Sequence, residues 1–235
     1  MKNFSIIIPI YNESESIFKL IEEIEAEFHK DCPEIIIVDD GSNDDFNKQI
    51  NRIKKKSFMI KSHSKNHGKC KAMMTGIAAA NNNLICVIDG DGQNPPYEIK
   101  KLISFWKSLT VKEKQKFLIC GNRKHRQDTL TKRISSKVAN FVRKRFLNDD
   151  CHDTACALKI FLKEEYLKIK YFKNMHRFLP ALFKMHNCKI FNVDVDDRPR
   201  KSGISKYSFN NRFWVGIVDL VQVWSLIKKE KKNGE

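Results

Sequence analysis

The stretch Glu34-Ile35-Ile36-Ile37-Val38-Asp39-Asp40-Gly41-Ser42 decides the fold. Residues Glu34–Val38 set four β-branched side chains in a row. That run is too short for an ordinary helix and suits a strand covered on both faces. It stops at two acids, a glycine and a serine, which favour a turn. The pattern repeats outward, because Phe4–Ile10, Phe58–Lys61 and Leu84–Ile88 are further short apolar runs. Between them lie segments with helical spacing. Ile17, Leu20, Ile21 and Ile24 recur every three or four residues, with Glu22, Glu23 and Glu25 on the other side. Met73, Met74, Ile77 and Ala78 behave alike, in a stretch opened by Gly68 and closed by Asn81-Asn82-Asn83. This alternation predicts an α/β chain of βαβ units on a parallel sheet. Right-handed crossovers then bring the carboxyl ends of the strands to one edge.

The second half is less regular. Pro95-Pro96 opens a helix that runs to about Trp106, since proline suits a first turn. Phe117–Cys120 and Ile190–Val195 read as strands. Ile134–Leu147 reads as an amphipathic helix, with Val138, Phe141 and Val142 set against Lys137, Arg143, Lys144 and Arg145 on a cationic face. Phe213–Ile227 reads as an apolar helix, serving as core or as a homo-oligomer contact. With no internal repeat or low-complexity linker, the expected organisation is one domain over 1–210 and a terminal helix within 211–235.

Composition narrows the function. The 235 residues suffice for one substantial core. Lysine and arginine number 44 against 28 acids, a formal net charge of +16 that favours anionic partners. Nucleic acid is not the expected partner. The aromatic-basic interleaving of RNA-binding segments is absent, and acids at the strand ends would repel phosphates without a metal. The seven cysteines include no C-x-x-C pair and their number is odd, which predicts reduced, buried thiols of a cytosolic protein rather than a zinc or disulfide framework. The first apolar run meets Pro9 too soon for a signal peptide. No segment approaches the ~18 apolar residues that span a bilayer.

In an open parallel sheet, ligands bind beyond the carboxyl ends of the strands. Three of those ends carry polar residues: Pro9-Ile10-Tyr11-Asn12-Glu13, Asp39-Asp40-Gly41-Ser42 and Asp89-Gly90-Asp91-Gly92-Gln93. Two acids one residue apart, directly after a strand, can share a pocket and hold Mg²⁺ or Mn²⁺, with Gln93 as a neutral oxygen ligand. Alone, Asp-x-Asp reads as a solvated turn. The companion strand ends and the basic segments turn the reading towards a phosphorylated ligand.

Taken together, these segments resemble glycosyltransferase family 2, within it the polyprenyl-phosphate (dolichol-phosphate mannose synthase-like) glycosyltransferases. The matching stretches are Ser5–Glu13, Glu34–Ser42, Asn66-His67-Gly68-Lys69, Asp89–Pro96, Gly121-Asn122-Arg123, Asp153-Thr154 and Arg198–Tyr207, in family order. The resemblance implies a GT-A fold, a mostly parallel central sheet with helices on both faces. It also implies inverting transfer from a UDP- or GDP-sugar to a polyprenyl phosphate at the cytoplasmic membrane face, the alternative acceptor being a soluble or saccharide hydroxyl. Pro9, Tyr11, Glu13, Val38, Asp40, Asp89 and Gly90 would line the nucleotide-sugar pocket, over which Arg200 and Lys206 would close. Asp89, Asp91 and Gln93 would be the metal ligands, Asp91 with a catalytic role. Arg123, Arg133 and Ser136 would face the acceptor phosphate, with Lys132 a rival to Arg133. Asp153 would be the base for a hydroxyl acceptor, or else an Asp fixing a local turn. Gly90 and Gly92 stand where the family usually carries alanine and a larger apolar residue, which predicts a looser unliganded loop. The expected setting is peripheral, on an anionic membrane surface, through the basic 134–147 helix and Phe213, Trp214 and Trp224.

Overall fold

A computed structural model describes residues 3–50, 58–124, 143–199 and 219–229. Four strands and their intervening helices come first: β1 (Ser5–Ile10), α1 (Ser14–Phe28), β2 (Glu34–Asp39), α2 (Phe46–Ile50), β3 (Phe58–Ser62), α3 (Lys69–Ala79) and β4 (Leu84–Val87). There follow α4 (Tyr97–Ser108), β5 (Phe117–Arg123), β6 (Lys159–Leu162), α5 (Lys163–Leu167), α6 (Leu179–Met185) and β7 (Lys189–Val195). The strands form one sheet in the order β3-β2-β1-β4-β6-β5-β7.

The continuous apolar runs are explained by what covers the sheet. Along β1, Ile6, Ile8 and Ile10 enter the core beneath α1 and α4, while Ile7 faces the opposite core against α3. Along β2, Ile35 and Ile37 face one side, and Ile36 and Val38 the other. Both faces are dry, so neither strand can alternate with polar residues, and each such side chain contributes roughly 2 kcal/mol by burial. The parallel register pairs Ser5 with Glu34 and Ile10 with Asp39, and β4 runs alongside β1 from Ile85 opposite Ser5. The carboxyl ends of β1, β2 and β4 therefore lie together, as the crossover rule requires.

All six sequence-predicted strands are present, with ends shifted by a few residues. The sheet is mostly parallel, as expected. The unpredicted β6 pairs antiparallel with both β4 and β5, which makes the sheet mixed. Its apolar run is interrupted by Lys159, which is buried, with Nζ donating to the carbonyls of Thr154 (3.2 Å) and Cys156. Helix α6, also unpredicted, starts with Pro180 in its first turn and buries Leu179, Ala181, Leu182 and Phe183.

Of the predicted basic helix, residues 143–147 are helical and 134–142 lie outside the described residues. Arg143 does not join a cationic surface. It is buried, with Nε 2.8 Å from Asp149 Oδ2 and Nη1 donating to Thr154 Oγ1 at 2.6 Å. Lys144, Arg145 and Phe146 are exposed. Residues 219–229 are helical, and Val223 is buried in the core on the α3 and α6 side. Phe213 and Trp214 lie outside the described residues, while Trp224 packs partly against that core under Lys228 Nζ, 3.9 Å from its ring centroid. All seven cysteines are free thiols, and six of them are buried. Among the described residues, no helix is long and apolar enough to cross a membrane.

Candidate active site

Three loops meet at the shared carboxyl edge of β1, β2 and β4. The first follows β1 and turns through Asn12, whose φ is +55°. Its backbone N–H donates to Ser42 Oγ at 2.8 Å, and its side-chain oxygen accepts from the Asn43 N–H at 2.9 Å. The β1 and β2 loops thus fasten one another, with Pro9 paired to Val38 in the strands beneath. Glu13 starts α1, its carbonyl accepting from the N–H groups of Ser16 and Ile17.

The second loop follows β2. Asp39 is buried, and its Oδ1 accepts from the Ser42 N–H at 2.9 Å, an Asx-type turn. Asp40 is also buried, and accepts from the N–H groups of His67 (3.0 Å) and Gly68 (2.7 Å). His63 Nδ1 lies 2.7 Å from Asp40 Oδ1, and its Nε2 lies 2.9 Å from Thr75 Oγ1. His63 is thereby a structural partner of Asp40. A carboxylate offers about four acceptor positions, so these three partners hold the Asn66–Lys69 segment and leave capacity for one more donor.

The third loop, Asp89–Gln93, carries the paired acids. Asp89 Oδ1 forms an ion pair with Lys69 Nζ from the first residue of α3. Asp91 Oδ1 accepts from the Gln93 N–H at 3.1 Å. The two glycines are not loosely held. A Cβ at Gly90 would stand 2.5 Å from Ile10 Cγ2, so its place against β1 needs the missing side chain. The Gly90 carbonyl accepts from Ser16 Oγ at 2.8 Å. Gly92 has φ +72°, which favours glycine, and its carbonyl accepts from Arg198 Nε at 2.6 Å. The expected looseness is therefore countered by packing at one glycine and by a guanidinium at the other. Two carboxylates and an amide oxygen on one five-residue loop suit a hard divalent cation, and the ammonium beside Asp89 marks a place where positive charge is favoured. Among the described residues, no cluster of three or more histidine, cysteine or acidic side chains forms a metal site by itself.

Towards β5 the predicted acceptor residues are joined to one another. Arg123 Nε donates to Asp153 Oδ2 at 2.7 Å, and Nη2 donates to Oδ1 at 3.1 Å. Asp197 Oδ2 lies 3.6 Å from Nη1. Burial works against the charge of Arg123, but the Asp153 hydrogen bonds and charge hold it protonated above its ordinary range. Asp153 Oδ1 also accepts from the Ala155 N–H at 3.2 Å. Arg133, Ser136, Arg200 and Lys206 lie outside the described residues.

Sequence reasoning missed Arg198 and Glu23. Arg198 leads into the Arg200–Lys206 segment, and its guanidinium reaches Glu23 on α1 as well as Gly92. Helical spacing alone puts Glu23 on the solvent side. The available signal was the place of Arg198 at the head of the matching stretch Arg198–Tyr207. His176 packs with Nδ1 3.0 Å from Cys70 Sγ. Burial pushes its imidazole well below the ordinary range, so the ring is neutral there.

Residues 5–170 match the model of Glycosyl transferase family 2. The chain is 32% identical over 239 residues to a dodecaprenyl-phosphate galacturonate synthase of Rhizobium johnstonii, covering 98% of this chain and 69% of that protein. It is 32% identical over 215 residues to an undecaprenyl-phosphate 4-deoxy-4-formamido-L-arabinose transferase of Pectobacterium atrosepticum, covering 89% of this chain and 64% of that protein. The chain thus spans about two thirds of the length of these relatives. Glucosyl-3-phosphoglycerate synthase from Mycobacterium tuberculosis, solved with uridine diphosphate, superposes with a TM-score of 0.72 at 15% identity, covering 95% of this chain and 80% of that one. The same enzyme solved with Mn²⁺, uridine diphosphate and glucosyl-3-phosphoglycerate gives 0.70 at 15% identity, covering 96% and 80%. At that identity the likeness establishes the GT-A fold. The chain belongs to glycosyl transferase family 2.

Proposed function

We propose that this family 2 chain transfers a sugar, with inversion, from a UDP- or GDP-sugar to a polyprenyl phosphate. The observation that carries the reading is the Asp89–Gln93 loop, set at the joint carboxyl edge of β1, β2 and β4 beside Lys69 and reached by Arg198. The polyprenyl-phosphate substrates in the names of both relatives support the lipid acceptor.

In this reading the β1 and β2 loops receive the nucleoside, with Tyr11 and Glu13 on one loop and Asp40 on the other. Lys69 and the backbone at the start of α3 lie beside the diphosphate. Mg²⁺ or Mn²⁺ held by Asp89, Asp91 and Gln93 would supply charge neutralisation for the departing nucleoside diphosphate. Arg200 and Lys206 close the donor site, while Arg133 and Ser136 meet the acceptor phosphate. A lipid phosphate is already ionised near neutral pH, so the reaction needs orientation and charge compensation more than a base. The engagement of Asp153 with Arg123 favours this acceptor over a sugar hydroxyl, because the guanidinium beside it stabilises the ionised carboxylate against taking a proton. Exposed Phe146 beside Lys144 and Arg145 supports a peripheral setting on the anionic inner face of the cell membrane.

The test is transfer itself. The protein is incubated with radiolabelled UDP- and GDP-sugars, Mn²⁺ or Mg²⁺ and undecaprenyl phosphate, and label is followed into the organic phase. Extractable label with one donor is the expected result. Label that moves only to a soluble saccharide would shift the reading to a hydroxyl acceptor, and no label with any donor would remove it.

A further inference from the structure

Three consecutive residues after β7 are each fastened to a different part of the site. The Asp196 N–H donates to the buried Glu98 Oε1 of α4 at 2.9 Å. Asp197 faces Arg123, 3.6 Å away. Arg198 makes the largest set of contacts. Its backbone N–H donates to the Gln93 carbonyl at 3.0 Å and its Nε to the Gly92 carbonyl at 2.6 Å. Its two terminal nitrogens reach the two carboxylate oxygens of Glu23.

We propose that Arg198 is a positioning residue for the donor site, acting by fixing the backbone of the Asp89–Gln93 loop so that its two carboxylates converge. Gly92 has no side chain to limit its rotation, and among the described residues nothing lies within 4 Å of where a Cβ would be. The loop also sets two acids one residue apart, whose mutual repulsion would open it. Packing at Gly90 and the Asp91–Gln93 bond hold the first part of the loop, and a planar guanidinium donating to the Gly92 carbonyl while its other edge is held by a carboxylate restrains the last part. The charge of Arg198 is matched by Glu23, so its effect on the acids is geometric rather than electrostatic. Lysine could reach a carbonyl but could not fork onto Glu23 as well.

This inference rests on the donor-site reading above, and its test separates the two. Binding of UDP and of GDP is measured by calorimetry with and without Mn²⁺ for the wild type, Arg198→Ala, Arg198→Lys and Glu23→Gln, with a melting curve for each. Arg198→Ala should weaken apparent Mn²⁺ affinity at saturating nucleotide about ten-fold or more and leave metal-free nucleotide binding unchanged. A general loss of structure would not produce that split. Arg198→Lys should recover part of the loss. Glu23→Gln should lose about three-fold, with no further loss when combined with Arg198→Ala, and it keeps the inference testable should the alanine variant not fold. Wild-type Mn²⁺ affinity in Arg198→Ala, or in both Arg198→Lys and Glu23→Gln, would overturn the inference alone. A wild type that binds neither nucleotide with Mn²⁺ would remove the donor-site reading, and the inference with it.

Discussion

Asp153→Ala takes away both acceptors of the Arg123 guanidinium in one step. The pair is bidentate, at 2.7 and 3.1 Å, and its side chains are 13% and 6% exposed. Removing one partner of a buried pair typically costs about 3–5 kcal/mol, because the other charge stays behind unmatched. Here Asp197 remains 3.6 Å away, and the arginine is not wholly dry, which points to the low end, about 3 kcal/mol. With a slope of roughly 2–3 kcal/mol per molar urea, the unfolding midpoint should fall by about 1–1.5 M. The double variant Arg123→Met with Asp153→Leu leaves no stranded charge and should cost less than the sum of the single changes, by about 2 kcal/mol. Urea denaturation followed by circular dichroism measures Asp153→Ala, the double variant and its two single changes. A midpoint loss below about 0.3 M for Asp153→Ala would mean that the pair is not a structural lock. Arg123 and Asp153 would then be available to the acceptor, as each reads when taken singly from the sequence.

Other expectations follow from the same geometry. Gly90→Ala should destabilise by about 1–3 kcal/mol through contact with Ile10, whereas Gly92→Ala meets no atom among the described residues and should lose about 1 kcal/mol from its positive φ; paired urea curves distinguish them. Burial pushes the thiol of Cys156 up to about 11. Between pH 9 and 11 the folded state keeps a proton that the unfolded chain releases, so stability should decline over that range. Alkylation at pH 8 followed by mass spectrometry should modify the half-buried Cys32 well before Cys156.

The sequence was most readable where one physical rule acted alone. Ile6, Ile7 and Ile8 had to be a strand buried on both faces, and the acids at the ends of β2 and β4 followed from strand direction. It was least readable where a charge is buried for a local reason. Lys159 broke the apolar pattern of β6, yet in the fold its ammonium is satisfied by the carbonyls of Thr154 and Cys156. Arg143 looked like part of a cationic face, and only tertiary contact with Asp149 and Thr154 takes it inside. Arg123 and Asp153 were both legible as site residues. Their attachment to each other was not, because 30 residues separate them and no local pattern encodes the pairing.

The central claim is that the Asp89–Gln93 loop holds the metal and diphosphate of a nucleotide-sugar donor. Titration of UDP and GDP in the presence and absence of Mn²⁺, for the wild type and Asp91→Asn, tests it most directly. The wild type should bind at least one nucleotide in a Mn²⁺-dependent manner, and a folded Asp91→Asn protein should lose that dependence. Equal Mn²⁺-dependent binding by the two proteins would contradict it.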